Sequence, residues 1–457
     1  MQAPNFGKGI VAAVEEYFYF SKHNARWGTE VLAGTSTFAS LVYIFIVTPT
    51  ILQLAGMDLV SVLYAAIIIS SISTIAMGIF ARLPFALAPG LEMSTYVAFT
   101  VVGLLGFDWR QALAMIFLSS LLFVILTIAK VRDTLIDQVP VKLKHAITFS
   151  IGLFLVVVSL NLIGVFDYSR GFLTVSSVEL NLTFYSVMIG LAVTFFFSRV
   201  GFSGSILLGI LVCGLIQIFA GDPTAYNPGF EDFRLTNANA INLQSLSSIV
   251  FSVQAMIVVL TLFLIDFYGS VAKFIGLLEG KSMSSDLRER APRALSLDGI
   301  ATFFGSFLGV TSITTFVESG VGINVGGRTG VTAIVCGLLM ILVLFLAPYI
   351  LMIPATATVP ALTYIGFKIM RTLPLGEGLD NFDWLIITVM SGLVIIDFSL
   401  FTALSTGFLG YAVKNVLRVY SHKIEFVNVR LNWILILSAI ILGCFLVLGW
   451  LFGINRA

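Results

Sequence analysis

Long stretches without a single charged residue constrain this chain more than any other feature. They run over 31–57, 59–81, 111–129, 146–166, 181–198, 200–221, 246–265, 329–353 and 431–453. An apolar helix of about 20 residues spans the hydrocarbon core of a bilayer. Further apolar runs, at 83–107, 299–327, 354–371 and 382–413, are broken by one charge or by Gly and Pro. The expected architecture is an all-α polytopic membrane protein of thirteen to fifteen passes, the number turning on whether 382–413 crosses once or twice. Only 11% of the 457 residues are charged, against roughly 25% in a soluble domain, so a soluble enzyme and a nucleic-acid binder are both excluded. No long polar domain interrupts the runs, which puts the function inside the membrane. Met1–Arg26 carries Lys8, Glu15, Glu16, Lys22 and Arg26 and is read as a cytoplasmic N-terminus, not a cleaved signal.

Orientation follows the bias of Lys and Arg in short loops. The connectors 130–144 (Lys130, Arg132, Lys142, Lys144) and 279–293 (Lys281, Arg288, Arg290, Arg293) are expected in the cytoplasm, and the acidic 222–234 segment outside. The basic 414–430 stretch fits this parity only if 382–413 makes two passes. The expected location is the cell (inner or plasma) membrane.

Two segments break the pattern of an ordinary membrane helix. One reads Leu83-Pro84-Phe85-Ala86-Leu87-Ala88-Pro89-Gly90-Leu91-Glu92-Met93-Ser94; the other runs from Thr311 through Glu318-Ser319 to Gly326-Gly327-Arg328. Non-helical backbone at membrane depth survives only where protein or a water-filled cavity satisfies its amides. Paired interruptions in corresponding halves of a chain point to a transporter binding site. Glu92 and Glu318 lie 226 positions apart, close to half the chain.

Charges at membrane depth are functional suspects, and Glu92, Asp266 and Glu318 stand out. Each also has a structural reading: Glu92 and Glu318 as helix caps, Asp266 as a partner of Lys273. Three carboxylates with no intramembrane Lys or Arg favour a ligand rich in N–H donors or one carrying positive charge. That balance speaks against an anion exchanger or channel. No metal, cofactor or nucleic acid is called for, and no H-E-x-x-H or G-x-S-x-G constellation appears. Phe316 or Phe267 is placed to stack on a flat ligand.

These residues resemble the nucleobase–cation symporters, and within them the azaguanine-type purine (adenine, guanine, hypoxanthine) permeases. The likeness rests on Thr29-Glu30-Val31-Leu32-Ala33-Gly34, Tyr43-Ile44-Phe45, Leu87-Ala88-Pro89-Gly90 with Tyr96, Asp266 with Gly269, and Glu318-Ser319 with Gly326-Gly327-Arg328-Thr329-Gly330. It continues in Pro354-Ala355-Thr356-Ala357-Thr358.

The resemblance implies fourteen segments in two inverted repeats of seven, with short strands in segments three and ten. It also implies a homodimer and alternating access by core against gate. The expected divisions are a cytoplasmic terminus (1–28), core halves at 29–130 and 246–350, and gate halves at 140–221 and 354–453. The expected substrate site is Glu92, Ser94, Asp266, Phe316, Glu318 and Ser319, with Glu318 or Asp266 coupling H+ or Na+ to a purine-type substrate. One departure stands out: Glu92 and Ser94 occupy positions where the family pattern has Gly and Asn. An amide that donates and accepts is thereby exchanged for an acceptor-only carboxylate. The alternative cargo is a different small nitrogen-rich or cationic solute.

Overall fold

The computed structural model describes residues 6–128, 140–167, 174–175, 181–220, 234–238, 241, 243–250, 252–278, 290–373, 378–424 and 433–451. Lys130, Arg132, Asp222, Glu231, Asp232, Lys281, Arg288 and Arg430, used above for orientation, lie outside the described residues. Within them the chain is a bundle of apolar helices with two short strands buried among them.

After two short helices (Phe6–Tyr17 and Phe20–His23), the spans are α1 (Trp27–Leu54) and α2 (Leu59–Ala81), strand β1 (Leu87–Pro89) leading into α3 (Leu91–Leu104), and α4 (Trp109–Ile128). Next come α5 (Val141–Leu162), a minor ladder of β2 (Phe166–Asp167) and β3 (Thr174–Val175), α6 (Leu182–Val200) and α7 (Ser205–Phe219). The second half follows the same plan. It comprises α8 (Val253–Leu278), α9 (Ala291–Leu308), strand β4 (Ile313–Thr315) leading into α10 (Ser319–Val325), and α11 (Gly330–Ile350). It ends with α12 (Val359–Met370), α13 (Asn381–Asp397) and α14 (Leu400–Ile424), followed by α15 (Trp433–Leu451).

The 382–413 run is thus two helices, broken at Phe398, whose φ of 51° no continuing helix permits. They fold back on each other, because Lys414 of α14 reaches Asp380 and Asp383 at the start of α13. Lys142 at the start of α5 also pairs with Asp383, at 2.7 Å. The 414–424 stretch therefore lies at the same end of the bundle as Lys142. At the other end Asp58 caps α2 by accepting from the Ser61 amide and holds Arg234 in a two-pronged pair, at 2.8 and 3.0 Å. Partial burial raises the Asp58 carboxyl, but the Arg234 hydrogen bonds, the Ser61 amide and the guanidinium charge outweigh it and leave Asp58 below the usual carboxylate range.

The packing pairs recur with the halves exchanged. Helix α1 packs on α11 as α4 packs on α8, and α2 on α11 as α4 on α9; α6 on α12 mirrors α13 on α5, and α7 on α12 mirrors α14 on α5. Two helix groups result: α1–α4 with α8–α11, and α5–α7 with α12–α14. Each group is seamed by glycine. A Cβ on Gly330 would sit 2.0 Å from the Gly78 carbonyl oxygen, and one on Gly152 would sit 2.7 Å from that of Gly366. Small residues of this kind let membrane helices approach backbone to backbone.

Candidate functional site

Strands β1 and β4 pair antiparallel in the middle of the first helix group, with Leu87 opposite Thr315, Ala88 opposite Thr314 and Pro89 opposite Ile313. The ladder extends at both ends: the Gly90 amide donates to the Ser312 carbonyl (2.8 Å) and the Phe316 amide to the Ala86 carbonyl (3.0 Å). A two-stranded ladder leaves two outer edges, and bare amides in an apolar interior are costly. Side chains cover both. Thr74 of α2 bonds the N–H and the C=O of Leu87 (2.9 and 3.0 Å), and Thr302 of α9 does the same for Ile313 (3.1 and 3.0 Å). Threonine suits this task because one hydroxyl both donates and accepts.

Asp298 of α9 completes the edge of β4. It accepts from the Thr315 amide (2.7 Å), the Thr315 hydroxyl (3.2 Å), Ser270 (2.5 Å) and Thr314 (3.4 Å), and is 1% exposed. The Ser319 hydroxyl accepts from the Ala86 amide at 2.9 Å. Ser94 donates to the Gly90 carbonyl and shares a 2.7 Å hydrogen bond with Thr311. Both serines expected to contact substrate thus also support the strand crossing.

The strands deliver the glutamates. Each leads directly into a short helix, with Glu92 in the first turn of α3 and Glu318 at the residue before α10. Neither carboxylate caps its helix. Glu92 accepts from Lys273 Nζ at 2.5 Å, and Glu318 from Lys368 Nζ at 2.9 Å. Asp266 accepts from the Ser312 hydroxyl, while the Lys273 ammonium is bonded to Glu92 and acts on Asp266 from further away. Glu92, Asp266 and Glu318 are all buried. Phe316 lies beside the first pair, with Lys273 Nζ 5.6 Å from its ring centroid. Phe267, the alternative stacking residue, is instead packed among Phe123, Phe263 and Tyr268. Asp397 lies apart, lining a cavity of about 50 Å³ with Tyr96, Thr100 and Gln254.

The expectation of no intramembrane lysine is therefore corrected twice. Lys273 sits two turns beyond Asp266 on α8, and Lys368 lies within the 354–371 run, three residues before Arg371 at its end. With two carboxylates carrying a lysine each, the charge that favours a cationic ligand is smaller than the sequence suggests. Asp298 was missed because it directly precedes an apolar run and reads as a flank. Its depth was signalled by Pro292 at the first turn of α9, which starts the helix two turns earlier. Glu30 also proves structural: it accepts from the Arg328 amide (2.9 Å), the Thr329 amide (3.2 Å) and the Thr332 hydroxyl (2.5 Å) at the start of α11.

Buried glutamates, each paired with a lysine beside a strand crossing, suit a polar solute held in mid-membrane. Residues 28–410 match a family model described as "Permease family", a family of nucleobase permeases. The chain belongs to this family. Adenine permease AdeP of Escherichia coli (strain K12) is 33% identical over 90% of this permease and 91% of its own length. Guanine/hypoxanthine permease PbuG of Bacillus subtilis (strain 168) is 28% identical over 88% of the permease and 94% of its own length. Among solved structures, the transmembrane domain of the cyanobacterium bicarbonate transporter BicA matches with a TM-score of 0.61 at 13% identity, covering 83% of the permease and 96% of that chain. At that identity the likeness concerns the fold. The permease is an integral membrane transporter and not an enzyme.

Proposed function

We propose that this permease is a secondary active transporter carrying a purine-type nucleobase across the cell membrane with a cation, H+ or Na+. In this reading α1–α4 with α8–α11 form a core and α5–α7 with α12–α14 a gate, and sliding of one against the other gives alternating access. The exchanged packing pairs support two inverted repeats of seven, Trp27–Phe219 and Val253–Ile424, with α15 outside them. A homodimer with a cytoplasmic N-terminus completes the reading.

One observation carries it: Glu318 on the core is ion-paired to Lys368 on α12 of the gate. A rigid-body displacement between the two groups must break that pair, so the state of Glu318 is tied to the position of the core. Glu92, Asp266, Phe316 and Glu318 line the substrate site, while Ser94 and Ser319 hold its floor. Asp266 receives a hydroxyl hydrogen bond while the nearby Lys273 is bonded to Glu92, which makes it the carboxylate where a coupling cation supplies the missing charge. Glu318 joins it when Lys368 withdraws. Anion exchange is disfavoured, because Glu92, Asp266, Asp298 and Glu318 outnumber Lys273 and Lys368.

The test is uptake of labelled adenine, guanine and hypoxanthine into proteoliposomes under an imposed H+ or Na+ gradient. Accumulation driven by one of the two gradients is expected. Failure of all three nucleobases to enter would overturn the reading.

A further inference from the structure

We infer that the cavity beside Asp397 is a binding site for a small monovalent cation, held where the two helix groups meet. Thr100 of α3 and Gln254 in the first turn of α8 line it from the first group. Asp397, Ser399 and Thr402, around the break between α13 and α14, line it from the second. Asp397 lies at the opposite end of α13 from Asp380 and Asp383, and so at the opposite end of the bundle from Lys142 and Lys414. Asp266 is 12 residues beyond Gln254 on α8, about 18 Å at a rise of about 1.5 Å per residue. The cavity is therefore separate from the carboxylates around the strand crossing, and its place in the packing is the same whatever the permease carries.

Thr100 supplies the deciding observation. It is 4% exposed, and its hydroxyl has no hydrogen-bond partner. Its neighbours on α3 fold back on the carbonyl four residues earlier, Ser94 on Gly90 (3.0 Å) and Thr95 on Leu91 (2.8 Å), the ordinary resort of a hydroxyl within a helix. From Tyr96 to Leu104 the helix is wound more widely, as a π-helix, and the Leu105 amide reaches the Thr100 carbonyl five residues back at 2.9 Å. Such turns are rare and recur at functional sites. Buried hydroxyls are nearly always paired, so one left open on the wall of a cavity marks a place where a ligand atom belongs.

The surrounding groups set the ligand's charge and size. Asp397 brings a carboxylate that is open to solvent, and among the described residues no charged group acts on it. Gln254 brings an amide oxygen, and α13 ends here at Phe398, with the negative end of its dipole at the same place. The Thr402 amide and hydroxyl are both given to Ser399 (3.3 and 3.1 Å) and serve to start α14. Among the described residues no lysine or arginine lines the cavity, so an anion finds no counter-charge. Divalent ions are held by several oxygens of higher total charge; one carboxylate matches a single positive charge. The volume of about 50 Å³ admits an alkali cation with about two waters, each needing roughly 10–15 Å³, and is too small for a purine ring. Because the oxygens come from both helix groups, a cation held by all of them ties the groups together at this end.

The experiment follows the melting temperature of the purified full chain in detergent as choline chloride is replaced by NaCl or KCl at constant ionic strength. A ligand that binds only the folded state raises that temperature as its concentration grows, and a rise with Na+ or with K+ is expected. Thr100→Val keeps the shape and removes the open hydroxyl, so in choline it should melt at or above the wild-type temperature. The cation concentration it needs for a given rise should nonetheless increase about threefold or more. A purely structural role for Thr100 would not separate the two readings in this way. Asp397→Asn should raise the required concentration by about tenfold or more. Variants that both stay within twofold of wild type would overturn the inference, as would a wild type that responds to neither cation or prefers Ca2+ to both. A response kept by Asp397→Asn and lost in Asp266→Asn would put the cation at the buried carboxylate and overturn it as well.

Discussion

Both halves of the molecule set a glutamate behind a short strand and pair it with a lysine, yet the two pairs are built differently. Glu92 and Lys273 both belong to the first helix group, α1–α4 with α8–α11, and their side chains are 7% and 14% exposed. Glu318 belongs to that same group but Lys368 to the second, and the lysine side chain is 39% exposed. The first pair can move as a unit, whereas the second spans the boundary between the groups. The exchanged packing therefore supplies two similar places, and the choice of lysine keeps one pair inside a single helix group and sets the other across two; under the proposed mechanism only the second is a contact that motion opens.

This contrast can be broken from either side. Glu92→Gln leaves the Lys273 charge enclosed and unpaired, and should cost about 3 kcal/mol of stability, read as a drop in melting temperature in detergent. If Glu92→Gln melts like wild type, the first pair is not a scaffold element. Asp298→Asn keeps an acceptor but turns an NH2 group toward donors already at the site, and should cost about 2 kcal/mol. A melting temperature unchanged by Asp298→Asn would mean that the β4 edge has other support. Glu318→Gln should cost only about 1 kcal/mol, since Lys368 can turn to water. It should nonetheless reduce gradient-driven accumulation far more than its stability loss explains.

The smallest effect is expected at Asp58. Its folded carboxyl titrates below the unfolded value, so its contribution is present above about pH 4 and fades as pH falls through the folded value. Asp58→Asn should thus lower the melting temperature slightly at neutral pH and by less in acid, below the unfolded value. An equal loss at both would contradict the pairing with Arg234.

Much of the frame was legible from residues alone, for physical reasons. Uncharged runs announce spans because the bilayer leaves a helix few other compositions, and Pro84, Pro89 and Gly90 announce a break because proline and glycine disrupt helices. Glu92, Asp266 and Glu318 were conspicuous as charges inside apolar sequence. Their partners were not. Lys273 and Lys368 each stand near the end of a helix, where a lone lysine ordinarily snorkels to the interface, and only the three-dimensional crossing turns them inward. Ser94 and Ser319 were marked as ligand contacts by the family pattern, Ser94 at its Asn position and Ser319 beside Glu318; that they also bond Thr311 and the Ala86 amide is written in no local pattern of the sequence.

The central claim is that Glu318 works across a moving boundary while Glu92 does not. The most direct measurement is accumulation of labelled hypoxanthine in proteoliposomes under an imposed cation gradient, compared with exchange in which no gradient is applied. The account predicts that Glu318→Gln retains exchange and loses at least tenfold in accumulation. Equal accumulation by Glu318→Gln and wild type, at equal amounts of folded protein, would contradict it.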